Sequence, residues 1–342
     1  MRVYIFNIIK SFIFISLLIY LVYIYFFSGF HMFVNKNTEY DLVIPSSLSD
    51  IKLFFRHKIY YEKYINYSNI VLIGESNINN LIVKDNSISF ICEDSLVQKK
   101  KINEFLLKMR NISTERDGWY EQQFLKMAYS RICKKDYYLI WDVDTIPIKS
   151  FKMFQNNQPF FDMKTEHHIP YFNAIEKLIP GLKFTDRSYI SEHMMIQTEF
   201  MKNLLVQIEL NDKLPGKLFW EKILMSIDTQ DINFSGFSEY ETYGSYVDSK
   251  YPYTYRHRNW FSLREANTYF GNSENLNKDD LKWLSKSFQA LSFEKFSKFD
   301  VNYLDIVKNP KIKKLYKSNF VFNHFKKIFK KYKRPNVTKI II

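Results

Sequence analysis

Tyr137-Tyr-Leu-Ile-Trp-Asp-Val-Asp-Thr-Ile-Pro147 is the stretch on which the reading of this chain turns. Five aromatic or aliphatic residues run into two carboxylates one residue apart, and a proline follows. The apolar run predicts a buried strand over 136–141, with Asp142 and Asp144 at its end. On an extended backbone, positions i and i+2 point to the same side. Both carboxylates can then reach one cation. Hard divalent ions such as Mg²⁺ or Mn²⁺ take oxygen donors and share them with substrate phosphates. A diphosphate leaving group needs its developing charge neutralised, which such an ion does. Asp-x-Asp alone also fits two residues capping a turn, so the surrounding chain has to supply the weight.

Upstream of that stretch, short apolar runs alternate with amphipathic ones. Strands are expected at 41–45, 69–74 and 88–92, and helices at 50–66, 97–110 and 118–132. Four strand–helix alternations in the first half predict an α/β fold with a mixed, mostly parallel sheet flanked by helices. Ligands of such sheets sit beyond the carboxyl ends of the strands, where the acidic pair lies. The second half is less regular. A short strand is expected at 194–197, helices at 199–211, 217–227 and 238–249, and a late strand at 253–261.

Composition removes several function classes. With 8 glycines and no G-x-G-x-x-G or G-x-x-x-x-G-K-[ST], neither a dinucleotide fingerprint nor a P-loop is present. Cys92 and Cys133 are too few for a disulfide framework or a Cys-rich zinc site. The net charge of +13 is a tail effect. Residues 308–334 hold eleven of the 49 Lys and Arg and no Asp or Glu, leaving 38 basic against 36 acidic residues elsewhere. A nucleic-acid-binding face would run through the folded domain, so no nucleic-acid partner is expected. The tail interleaves Lys with Phe, Ile and Tyr, which suits an anionic membrane surface.

Residues 11–30 carry no charge and are long enough to span a bilayer. They predict a single-pass N-terminal anchor over 1–30, without the short core and small-residue cleavage site of a signal peptide. Arg2 and Lys10 before the span are outnumbered by Lys36, Lys52, Arg56 and Lys58 after it. The positive-inside bias thus leans toward a cytosolic domain, and a type II arrangement in a secretory compartment is the alternative. The remaining organisation reads as a linker at 31–38, a catalytic domain at 39–265 and a helical extension with the basic tail at 266–342.

A strand ending in hydrophobic-Trp-Asp-x-Asp-Thr resembles the DxD motif of GT-A-fold glycosyltransferases. Gly118-Trp-Tyr-Glu-Gln-Gln-Phe-Leu-Lys126 resembles the Gly-Trp-Tyr-x-Gln-Gln helix that precedes this motif in a poorly characterised microbial branch. Ser191-Glu-His-Met-Met-Ile-Gln197 and Phe237-Ser-Glu-Tyr-Glu-Thr-Tyr-Gly244 are similar to later signatures of that branch, in the same order. The resemblance covers about 40–262. It implies a GT-A-like fold, a nucleotide-sugar donor, and a glycan or lipid-linked acceptor. It also implies Mn²⁺ or Mg²⁺ held by Asp142 and Asp144, with Asp142 facing the ribose or the ion. Such folds often complete the metal shell with a C-terminal His, and His257 is the best-placed candidate. The alternative for His257 is an ordinary surface histidine.

Other site residues follow from chemistry. Arg256 and Arg258 are candidates for phosphate contact, since guanidinium pairs well with phosphate oxygens. Inverting transfer needs a general base for the acceptor hydroxyl. Glu239, then Glu241, are the candidates, and on a helix the two face different directions. Trp119 and Gln123 are read as donor or acceptor contacts, with helix–sheet packing as the alternative for Trp119. Two rival functions keep the same residues. One is metal-dependent phosphoryl or nucleotidyl transfer, which predicts further carboxylates on neighbouring strands. The other is a non-catalytic, membrane-tethered binding protein of the same fold.

Overall fold

The computed structural model describes residues 38–82 and 85–294. The expected membrane anchor and basic tail lie outside the described residues. Among the described residues, no helix is long and apolar enough to cross a membrane.

Strands β1 (Tyr40–Pro45), β2 (Asn69–Gly74), β3 (Ile88–Cys92), β4 (Tyr137–Trp141), β5 (Thr145–Pro147), β6 (Phe154–Gln155), β7 (Gln158–Met163), β8 (His193–Gln197), β9 (Arg256–Asn259), β10 (Ser262–Leu263) and β11 (Ala290–Ser292) form three sheets. Helices α1 (Ile51–Tyr64), α2 (Lys99–Arg110), α3 (Asp117–Ala128), α4 (Ile169–Leu178), α5 (Thr198–Glu209), α6 (Phe219–Ser226), α7 (Glu239–Lys250), α8 (Ala266–Phe270) and α9 (Lys278–Leu284) connect and cover them. A one-turn helix at Asn79–Ile82 sits between β2 and β3.

The main sheet has the order β3-β2-β1-β4-β8. All neighbours are parallel except β4 with β8, where Trp141 faces His193 across an antiparallel pair. Every residue of β1 is buried, as a central strand covered on both faces requires. The chain builds outward from β1 to β2 and β3, then returns to β1's other side as β4. That reversal leaves the topological switch point between the carboxyl ends of β1 and β4. The expected alternation therefore produced the expected mixed, mostly parallel sheet.

The structure differs from the sequence reading in three places. Asp142 and Asp144 are not on an extended strand. β4 stops at Trp141, and the chain turns, with the Thr145 amide donating to the Asp142 carbonyl (3.0 Å). A turn, not a strand pleat, therefore carries the two carboxylates. Second, β5, β6, β7 and α4 lie in a stretch to which the sequence reading assigned no elements. Third, the described part of the C-terminal extension is built into the same unit as the acidic turn. β11 pairs antiparallel with β5, with Leu291 opposite Ile146, and in parallel with β10. A second core of Ile146, Ile148, Tyr269, Phe270, Leu284 and Leu291 forms there. Three-residue strands cannot be legible alone, because only their partner from about 150 residues away supplies the ladder.

Candidate functional site

The Asp142–Thr145 turn is fixed from every side. Trp141 is fully buried, lies 4.8 Å from the His193 ring, and donates its indole N–H to the Thr145 carbonyl (2.7 Å). The Asp142 amide donates to the Glu192 carbonyl (3.0 Å), and the Phe293 amide to the Asp144 carbonyl (2.8 Å). Between them, the Val143 carbonyl accepts from Tyr61 Oη (3.1 Å) and His57 Nδ1 (2.9 Å), both on α1. Since a carbonyl only accepts, His57 Nδ1 is protonated and Nε2 accepts from the Ser273 hydroxyl (3.0 Å). Burial pushes the His57 imidazole down to about 4, keeping it neutral.

Lys126 is the cation of the site. Its ammonium is buried and donates to Asp142 Oδ1 (2.6 Å), Glu239 Oε1 (2.7 Å) and Tyr240 Oη (3.2 Å). The Tyr240 hydroxyl in turn donates to Asp142 Oδ1 (2.9 Å). Burial alone would lower the Lys126 pKa, but Asp142 and Glu239 together raise it above the ordinary value. Gln123 completes the link between α3 and α7, its Oε1 accepting from the Glu239 amide (3.2 Å). Asp142 Oδ1 is thus occupied by Lys126 and Tyr240.

Acidic charge accumulates on the other side of the turn. Burial first, then Asp142, Glu294 and Glu192, push the Asp144 carboxyl up to about 7, against a hydrogen bond from Thr145. Glu192 holds a left-handed backbone (φ 62°), a conformation disfavoured for a non-glycine residue. Its carboxylate takes Lys164 Nζ and the Ser262 hydroxyl (2.9 Å). Arg264 bridges Glu294 Oε1 (2.7 Å) and Glu166 Oε2 (2.9 Å) and lies 3.8 Å from Glu192. The carboxylates around Asp144 outnumber the cations that face them. Oxygen-only donors with surplus negative charge suit a hard divalent ion. Among the described residues, no group of three or more His, Cys, Asp or Glu side chains is arranged to hold a metal.

The expected site residues divide. Asp142, Gln123 and Glu239 meet around Lys126. Trp119 is half-buried, packed edge-on against Tyr120 with the Arg116 guanidinium over its face. Glu241 points away from Glu239, accepting from the Ser188 hydroxyl (2.9 Å) and the Tyr189 amide (3.3 Å). His257 is exposed and bonds Asp248 (2.6 Å) at the far end of α7, and Arg256 bonds Gln158 (2.9 Å) on β7. Arg258 is spent on Asp162, which also bonds His193 (2.9 Å). Burial alone would raise Asp162, but His193 and Arg258 hold its carboxyl below the usual range. That buried network props β8 against Trp141.

Lys126, Tyr240, His57, Lys164, Arg264 and Glu294 were not singled out from sequence. Lys126 ends the Gly118–Lys126 segment and Tyr240 lies within Phe237–Gly244, and those two segments were the signals available. The others come from regions whose proximity only the fold creates.

Residues 51–308 match the model of a family described as a family of unknown function, DUF6492, and the chain belongs to that family. No curated protein sequence matches. Among solved structures, the chain is similar to the galactosyltransferase LgtC in complex with donor and acceptor sugar analogues. That match is 11% identical with a TM-score of 0.39, covering 81% of this chain and 95% of that one. It is also similar to the bifunctional glycosyltransferase WbbM, at 12% identity and a TM-score of 0.37, covering 83% and 52%. A third is the glycosyltransferase GlyE of Streptococcus pneumoniae, at 12% identity and a TM-score of 0.38, covering 89% and 66%. These structural neighbours are glycosyltransferases.

Proposed function

We propose that this chain is a glycosyltransferase that moves a sugar from a nucleotide-sugar donor to a glycan or lipid-linked acceptor, with Mn²⁺ or Mg²⁺ held by Asp142 and Asp144. One observation carries the reading. The two carboxylates sit on a turn at the carboxyl end of β4, beside the sheet's switch point, where burial and the neighbouring carboxylates push the Asp144 pKa up. When bound there, a divalent ion supplies positive charge against the diphosphate that leaves with the nucleotide.

The chain's own residues have separable roles. Lys126 and Tyr240 hold Asp142 Oδ1, which leaves Oδ2 as its ligand oxygen and fixes its direction. The contacts to Val143 from His57 and Tyr61 keep the turn from relaxing when charge is added. Glu239 is the candidate base for the acceptor hydroxyl. It lies one ammonium away from Asp142, and burial raises its pKa above the ordinary carboxylate value against the opposing pull of Lys126, a direction that suits a proton acceptor. Glu241, held against Ser188 and Tyr189, is the second candidate.

The phosphoryl-transfer alternative requires further free carboxylates near Asp144. Glu192 and Glu294 are near, but Lys164 and Arg264 already engage them. A panel of nucleotide sugars with Mn²⁺ or Mg²⁺, scored by nucleotide release, tests the proposal. Asp144→Ala should abolish release while the protein stays folded. Unchanged turnover in that variant, or turnover of nucleoside triphosphates in place of nucleotide sugars, refutes it.

A further inference from the structure

Three separate stretches of chain meet at one carboxylate, and each leaves an apolar side chain in solvent beside it. Glu209, the last residue of α5, accepts from the Arg131 guanidinium (2.6 Å) and from the Phe219 amide (3.0 Å) through the same Oε1. The chain neighbours of these three residues, Ile132, Leu210 and Leu218, are all exposed. Leu210 is 76% exposed, and its amide donates to the carbonyl of Val206 (2.9 Å), one turn earlier on α5 and 51% exposed. Aliphatic side chains scattered singly over a surface need no explanation, but a group gathered around one ion pair marks an interaction surface. Its rim is polar. Lys134, Lys213 and Lys217 are exposed there, as are Asp136 and Asp212, which leaves a small excess of positive charge.

The place of this patch in the fold identifies what covers it. Both ends of α5 are tied to the segment that leads into β4. At one end the Thr198 hydroxyl donates to the Lys135 carbonyl (2.6 Å), and at the other Glu209 holds Arg131. The same segment grips the start of β1, where Asp41 pairs with Lys135 (2.9 Å) and accepts from the Tyr129 hydroxyl (3.0 Å). The patch therefore lies at the amino ends of β1 and β4, beside the point where the chain enters the sheet. Only residues 31–39 separate that point from the uncharged stretch 11–30. Nine residues reach at most about 30 Å, so a bilayer that holds this stretch is close to this face.

We propose that the surface around Glu209 docks on a phospholipid bilayer. Ile132, Val206, Leu210 and Leu218 enter the head-group region, and the lysines at the rim lay their stems along it and meet anionic head groups. A second copy of the chain or a soluble partner also suits exposed aliphatic residues, but neither accounts for their position at the entry to β1. Docking in this way turns the acidic site away from the bilayer, since Asp142 and Asp144 follow the opposite, carboxyl end of β4.

The test places an environment-sensitive fluorophore on one added cysteine of the full chain, in a Cys92→Ser background that keeps the buried Cys133. The chain is reconstituted in vesicles of phosphatidylcholine and phosphatidylserine. Leu210→Cys reports the patch. Leu48→Cys, also exposed but following the carboxyl end of β1, reports the opposite end. Lipids spin-labelled near the head group should quench most of the emission at 210 and leave that at 48 unchanged. Adding Val206→Asp and Leu218→Asp should release the label at 210 while the chain still floats with the vesicles and circular dichroism shows it folded. Unquenched emission at 210, quenching at 48 in its place, or quenching at 210 that survives both aspartates overturns the inference. A chain that does not float with the vesicles overturns it too. Because no readout is an activity, these failures leave the proposed transfer reaction untouched.

Discussion

Replacing Lys126 with methionine removes the one cation that joins α3, the acidic turn and α7, and the outcome follows from burial. Lys126 is 3% exposed and Glu239 4%, whereas the Asp142 side chain is 24% exposed. Removing one partner of a buried ion pair costs about 3–5 kcal/mol, because the other charge stays buried and unpaired. Asp142 is partly solvated and adds little, so the lower end, about 3 kcal/mol, applies. For a domain of this size that is a fall of roughly 6–12 °C in Tm. The deficit should depend on pH with a definite sign. Without Lys126, the Glu239 carboxyl has a folded-state pKa above its unfolded value, so protonation favours the folded state. The deficit is then largest above neutrality and shrinks as the solution is acidified. Thermal melts followed by circular dichroism at about pH 5.5 and about pH 8 read this directly. Adding Glu239→Gln should recover at least half the loss at the higher pH, since no unpaired buried charge remains. A fall below about 2 °C, or one equal at both pH values, refutes the claim that Lys126 compensates a buried charge on Glu239.

Further outcomes follow from the same geometry. Only the ionised Asp144 carboxylate binds a cation, and burial with the neighbouring carboxylates pushes its pKa up to about 7. Mn²⁺ affinity measured by calorimetry should therefore fall roughly tenfold per pH unit below that value and level off above it. A flat profile from pH 6 to pH 8 contradicts Asp144 as a ligand. Gly244, in mid-helix on α7, lies so close to the Tyr189 ring that an added Cβ would sit 2.1 Å from its Cγ. Gly244→Ala should cost about 1–3 kcal/mol in urea unfolding despite alanine's better helix propensity. A more stable variant would show that the ring has room to move.

Residue order alone determined the central layout. β1, β2, β3 and β4 are runs of Val, Ile, Leu and aromatic residues broken by helical patterns, so local periodicity identified them within one or two residues. The parallel order of the sheet followed from their alternation. The Trp-Asp-x-Asp signature located the acidic turn because its apolar strand and its carboxylates are contiguous in the chain. Glu239 and Gln123 were legible as candidates through the segments that contain them, and the fold brings the two into contact.

Tertiary structure decided what surrounds that turn. His57, Lys126, Glu192, Ser262 and Phe293 come from five separate stretches, and no local pattern relates a lysine at 126 to a glutamate at 239. The three-residue strand β5 exists only because β11 returns to pair with it. His257 and Arg256 looked well placed in a basic segment, yet strand β9 pairs with β7, where their side chains bond Asp248 and Gln158. Hydrophobic periodicity is a nearest-neighbour signal carried by the chain itself. Ion pairs and hydrogen bonds form between groups brought together only after the sheet has folded, and for that reason the sequence named the carboxylates but not their partners.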